Sequence, residues 1–143
     1  MKKVGHVISL FSSLAEGQTN VELFSVDTKG IINDKHYNKN ADRAVLITSL
    51  SSYELMKKNN INEPYGTLGE NILIDYNIYQ HHAGVRVKIG NVVMEIVQLC
   101  TLCKGLSSID SKLPKLLKED RGIFVKVIEP GTIYKDDEIY LLD

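Results

Sequence analysis

Val85-Arg86-Val87-Lys88-Ile89-Gly90-Asn91-Val92-Val93-Met94-Glu95-Ile96-Val97-Gln98-Leu99 is the stretch whose pattern sets the fold class. Val85, Val87 and Ile89 alternate with Arg86 and Lys88, as a strand with one buried and one solvated face requires. Val92 to Leu99 forms a second apolar, β-branched run, and only Gly90-Asn91 separates the two. Glycine at the first turn position tolerates positive φ, so the pair reads as a tight β-hairpin.

On the C-terminal side, Gly122 to Ile128 is strand-like. Glu129-Pro130-Gly131-Thr132 matches a type II turn, with Pro130 pre-setting φ and Gly131 free to take positive φ. Ile133 to Leu142 is then expected to return as a second hairpin. On the N-terminal side, Val4 to Leu10, Val21 to Val26 and Ala44 to Thr48 are further strand candidates. Helical signals are short. Ser51 and Glu54 form a capping-box pattern, predicting a helix that turns Leu55 and Met56 inward and stops near Asn59-Asn60. A second helix is expected from Pro114 to about Glu119, with proline early, where its missing N–H costs little. Many strands at short spacing with a few short helices predict a mainly β chain: a β-barrel with peripheral helices.

The length of 143 residues suits one domain, 1–143, around one core. Hydrophobic residues make up 43% and charged residues 24%, proportions of a globular rather than a disordered chain. Lys and Arg number 17 against 18 Asp and Glu, giving a net charge of -1. Binding nucleic acid by phosphate neutralisation needs a basic excess that is missing here. No apolar run approaches the roughly 20 residues that span a bilayer. Lys2-Lys3 before Val4 to Leu14 has the outline of a signal peptide, but His6, Ser9, Ser12 and Ser13 interrupt the apolar core. The expectation is a cytoplasmic protein with no nucleic-acid or membrane partner, whose two cysteines stay reduced.

Cys100-Thr101-Leu102-Cys103 follows directly on the strand Val92 to Leu99. A cysteine at a strand exit suits a nucleophile or a soft-metal ligand, yet an unpaired cysteine is more often a small buried hydrophobe. One CxxC supplies two zinc ligands, and no second CxxC or HxxxH completes the set. A thioredoxin-like pair would open a helix in a βαβ unit, whereas this one follows a hairpin. Gly66-Thr67-Leu68-Gly69-Glu70-Asn71 joins two glycines to a carboxylate and an amide, so it reads as an ordinary turn or as a loop bringing backbone close to a ligand. Asp34 and His36 stand two residues apart, either as a solvated loop or as an acid that orients an imidazole. Arg43 and Arg121 each precede an apolar strand, where an arginine is a solvated strand end or a planar fork for a phosphate. His81-His82 point to opposite faces if extended and receive no role.

The order of these signals carries more than any one of them. Asp34 and His36, Arg43-Ala44-Val45, Gly69-Glu70-Asn71-Ile72, Val87-Lys88-Ile89-Gly90, Cys103, Arg121-Gly122-Ile123 and Pro130-Gly131 follow one another along the chain. From about Val4 to Leu141 the sequence thereby resembles the MOSC domain, named for the C-terminal part of molybdenum cofactor sulfurases, in the form of a small standalone bacterial-type member. The resemblance implies a β-barrel-like fold with a cleft. It also implies a molybdenum–pterin cofactor whose metal is ligated by Cys103, the catalytic cysteine. Glu70, Asn71, Asp34 and His36 would line the cofactor cleft, and Arg43 or Arg121 would meet its phosphate.

Two departures stand out. Asn33-Asp34 replaces the Gly-Asp common in the family's early loop, and asparagine tolerates left-handed backbone better than most residues. Cys100 stands where many members carry a basic or small residue, which opens a Cys100–Cys103 pairing as an alternative. The implied activity is an oxidoreductase acting on N-hydroxylated small molecules. The alternatives are a carrier or sulfurtransferase using a Cys103 persulfide, and a metal-free dithiol module. An electron-donor or cofactor-accepting protein is the expected partner. Pyridoxal phosphate, used by a separate domain of the sulfurases, has no defensible Schiff-base site here.

Overall fold

A computed structural model describes residues 1–14, 17–101 and 105–142 of the chain. The hairpin forms where the alternation places it. β7 (Arg86–Ile89) pairs antiparallel with β8 (Val92–Leu99), setting Arg86 opposite Glu95 and Ile89 opposite Val92. Gly90 in the turn has φ of 58°, a conformation that glycine adopts without steric cost.

β8 continues antiparallel into β9 (Ile123–Glu129), and β9 into β5 (Val45–Ser49). β5 lies parallel to β6 (Ile72–Ile74), which pairs antiparallel with β1 (Lys2–Leu14). β1 also pairs with β11 (Glu138–Leu141), and β11 with β7, so seven strands close into a barrel. β2 (Gly17–Val21) extends the sheet beyond β1. A separate three-stranded sheet runs β10 (Gly131–Tyr134), β3 (Leu23–Asp27), β4 (Gly30–Ile31). The fold is mainly β, as the strand spacing predicts.

Alternate residues fill the barrel, among them Val7, Leu10, Val45, Ile47, Ile72, Ile74, Met94 and Val125, all buried. Each such side chain stabilises the fold by roughly 1.5–3 kcal/mol relative to exposure. The parallel β5–β6 pair needs a crossover, and α1 (Leu50–Lys58) supplies it. Beneath it Tyr53, Met56, Leu68, Leu73 and Leu113 form a second apolar cluster with α2 (Leu106–Ile109) and α3 (Leu113–Leu116). Ile72 and Ile74 face the barrel while Leu73 faces this cluster, so β6 is buried on both sides. None of the described helices is long and apolar enough to cross a membrane.

Two local expectations are corrected. The cap of α1 is Ser49, whose hydroxyl accepts from Ser51 N at 3.2 Å, so Ser51 already lies inside the helix. Ser49 is extended (φ -90°, ψ 147°) and ends β5, which moves the strand-to-helix turn ahead of Ser51. At the other end, no hairpin returns from β9. Gly131 opens β10 opposite Val26 of β3, and Ile133 pairs with Phe24, where both are buried in the barrel cluster. Burial of Ile133 outweighs the local turn chemistry, and the chain rejoins the barrel only at β11.

Candidate functional site

Leu46 of β5 and Phe124 of β9 are cross-strand partners on the face opposite the barrel interior, and with Cys100 they form a small apolar floor. Above this floor opens a cleft of about 480 Å³, within the range typical of small-ligand sites. The segment from His36 to Ala44 walls one side, and the other is walled by Gly69, Asn71 and Arg121.

Asp34 sits behind that first wall. Its carboxylate accepts from Ser12 Oγ at 3.1 Å and Ser13 N at 2.5 Å through Oδ1, and from His36 N at 2.9 Å through Oδ2. His36 Nδ1 lies 3.0 Å from the same Oδ2. An ionised carboxylate only accepts, so the proton of the ring is on Nδ1. The Asp34 side chain is 1% exposed and that of His36 53%, so a buried acid holds a ring that reaches the cleft. Asn33 just before it has φ of 73°, the left-handed backbone that glycine would otherwise supply.

Among the described residues, three cations line the cleft alongside this imidazole. Asn40 accepts from Asp42 N at 3.1 Å and starts the short 3-10 turn Ala41–Arg43, which delivers Arg43 to the rim. The Arg43 guanidinium lies 4.8 Å from the centre of the Phe124 ring, a cation–π contact that orients it. Arg121, two residues before β9, donates from Nε to Leu68 O at 3.2 Å. Lys39 completes the set, and no Asp or Glu is among the described residues lining the cleft. The arrangement has the chemistry to hold an anion: two planar forks and an ammonium over an apolar floor.

Glu70 and Asn71 take different places. Asn71 lines the cleft while joining two strands: Oδ1 accepts from Leu46 N at 2.9 Å, and Nδ2 donates to Phe11 O at 3.2 Å. The Glu70 side chain is fully buried and is not among the lining residues. It accepts from Tyr53 Oη at 2.7 Å and Gly66 N at 3.0 Å, and burial pushes its carboxyl above the ordinary range. Burial also raises the Tyr53 hydroxyl, with the Glu70 charge adding to the effect.

The structure thus brings His36, Arg43, Asn71 and Arg121 to one cleft, with Asp34 behind His36 and Glu70 behind the loop. Cys103 lies outside the described residues, and so does its pairing with Cys100. Cys100 is buried on the cleft floor, its N–H donating to Gly122 O at 2.9 Å. Among the described residues, no three His, Cys, Asp or Glu side chains group as a metal site. Sequence reasoning missed Lys39 and Asn40. The signal available was their position between His36 and Arg43, in a polar stretch too short to leave the same wall.

The model of the MOSC domain family matches residues 33–140. Solved structures share the fold at low identity. The YUAD protein from Bacillus subtilis is 16% identical with a TM-score of 0.79, over 95% of this chain and 94% of that one. YiiM from Escherichia coli is 18% identical with a TM-score of 0.71, over 96% and 70%. YiiM from Geobacillus stearothermophilus is 14% identical with a TM-score of 0.70, over 99% and 75%. No curated protein matches the chain.

Proposed function

Since the chain belongs to the MOSC domain family, we propose that the cleft holds a molybdenum–pterin cofactor, with Cys103 as thiolate ligand, and that the loaded protein reduces N-hydroxylated small molecules. The observation that carries this reading is the cationic lining: Lys39, Arg43 and Arg121 converge with His36, and no carboxylate is among the described residues lining the cleft. A phosphate-bearing cofactor needs that set of donors, and the volume of about 480 Å³ accommodates a ligand of that class. Arg43 and Arg121 would bind the phosphate through charge-assisted hydrogen bonds. Asn71 offers its remaining amide N–H, and Leu46 and Phe124 keep water from the floor. When bound, such a group supplies two-electron redox chemistry at a sulfur-ligated metal. The protein supplies binding and orientation, and a partner protein supplies the electrons.

The test is to produce the chain in cells that make the cofactor, then measure bound molybdenum and pterin. The wild type is compared with Cys103→Ala, Cys100→Ala and the double variant Arg43→Ala/Arg121→Ala. Near-stoichiometric cofactor in the wild type and Cys100→Ala, lost from the other two, is the expected result. Absence of molybdenum and pterin from every protein overturns the reading. Loaded protein that hands on its cofactor without turning over N-hydroxylated compounds replaces the reductase by a carrier.

A further inference from the structure

We propose that Asp34 and His36 make the cleft a proton-coupled anion site, in which His36 takes up a proton as a dianion enters. The inference rests on the reading of the cleft as a site for a phosphate-bearing ligand. It adds that one of the ligand's partners must change its own charge to bind.

The argument starts from Asp34. Its carboxylate is held by Ser12, Ser13 and the His36 backbone, so it cannot swing away from the ring. With Oδ2 at 3.0 Å from Nδ1, the neutral ring keeps its proton on Nδ1 and leaves a lone pair on Nε2. A phosphomonoester or sulfate dianion also presents only lone pairs, so a neutral His36 repels it. Protonation at Nε2 turns the ring into a donor, and Asp34 stabilises the imidazolium from the other side.

The neighbours decide when that happens. Lys39, Arg43 and Arg121 line the same cleft, and without an anion their charges oppose a further one on His36. A bound dianion offsets the three cations and adds an attraction of its own. Proton and anion therefore favour each other's binding, and the coupling is reciprocal.

Sulfate is the probe, because it neither gains nor loses a proton in the range where histidine titrates. Binding is measured by titration calorimetry from about pH 5.5 to about pH 8, in buffers with different heats of ionisation. The wild type is expected to take up a fraction of a proton per sulfate, with affinity falling about tenfold across that range. His36→Gln, a change at a half-exposed side chain, is expected to bind sulfate more weakly, with no uptake and a flat pH profile. In parallel, the ¹⁵N resonances of the His36 ring should move toward imidazolium as sulfate is added at neutral pH. No sulfate binding, binding without proton uptake, or equal uptake by His36→Gln overturns the proposal. Cofactor content is measured separately, so failure here is distinct from failure of the functional reading.

Discussion

The Tyr53 hydroxyl of α1 donates to the Glu70 carboxylate at 2.7 Å and accepts from Gly66 N at 3.1 Å and Leu68 N at 3.3 Å. One buried contact thus ties a helix to the loop that carries Gly69 and Asn71 into the cleft wall. Tyr53→Phe keeps the ring volume and removes the hydroxyl, leaving Glu70 without its side-chain donor and Leu68 N without a partner it now has. The expected loss is about 2–3 kcal/mol, read as a lower urea midpoint at unchanged slope. A midpoint within error of wild type would show that the hydroxyl holds nothing.

Glu70 also gives the fold a pH dependence with a definite sign. Desolvation raises its carboxyl above the ordinary value of 4.5, against the hydrogen bonds from Tyr53 and the loop N–H groups, which lower it. A raised folded value means that the native state binds this proton more tightly than the unfolded chain. The resulting stability is complete below about pH 4.5 and is lost as pH rises through the folded value. Glu70→Gln never ionises, so its stability relative to wild type should improve steadily as pH increases over that window. Urea unfolding of both proteins at a series of pH values checks this, and parallel pH curves would sink it.

What the sequence made legible follows from how local each signal is. The β7–β8 hairpin was readable because Val87 and Ile89 alternate with charged residues and Gly90 marks the turn. β6 was not, because Ile72, Leu73 and Ile74 are all buried and show no alternation. Its parallel pairing with β5 depends on a crossover through α1 that no local pattern announces. Gly131 was misassigned because its turn chemistry competes with Ile133, whose burial depends on a partner about a hundred residues away in β3. The site divides in the same way. Arg43 and Arg121 stand at strand starts, a position visible in one dimension. The buried, acceptor roles of Asp34 and Glu70 depend on Ser12, Ser13 and Tyr53, which only the closed barrel brings to them.

Asn71 stitches β1 to β5 where backbone pairing is incomplete. Its Oδ1 accepts from Leu46 N and its Nδ2 donates to Phe11 O, while its own N–H and C=O bond Leu46 O and Phe11 N. Asn71→Leu is close in volume but leaves a buried N–H and a buried C=O unpaired. The expected cost is about 2–4 kcal/mol, seen as a fall in thermal midpoint. Amide exchange at Leu46 should accelerate more than at Val87 on the far side of the barrel. Equal protection at both sites, with the midpoint unchanged, would show that water replaces the amide at no cost.

The two arginines differ in what else they do, which separates binding from stability. Arg43 rests on Phe124, a contact worth about 0.5–1 kcal/mol at most at such a site, so Arg43→Ala should barely change the unfolding midpoint. Arg121 bonds Leu68 O from Nε, so Arg121→Ala should also loosen the loop before Gly69. For anion binding the two should act alike. Each loses a charge-assisted fork, and each alanine variant is expected to weaken a phosphomonoester by about tenfold or more. Arg43→Lys keeps the charge without the planar fork and should recover only part of that loss. Binding by every variant should weaken as salt rises, most steeply in the wild type, which has the most cation to screen. Titration calorimetry with one phosphomonoester at two ionic strengths decides the matter. Wild-type affinity in Arg43→Ala would move the anion away from the Phe124 floor, toward Lys39 or Arg121.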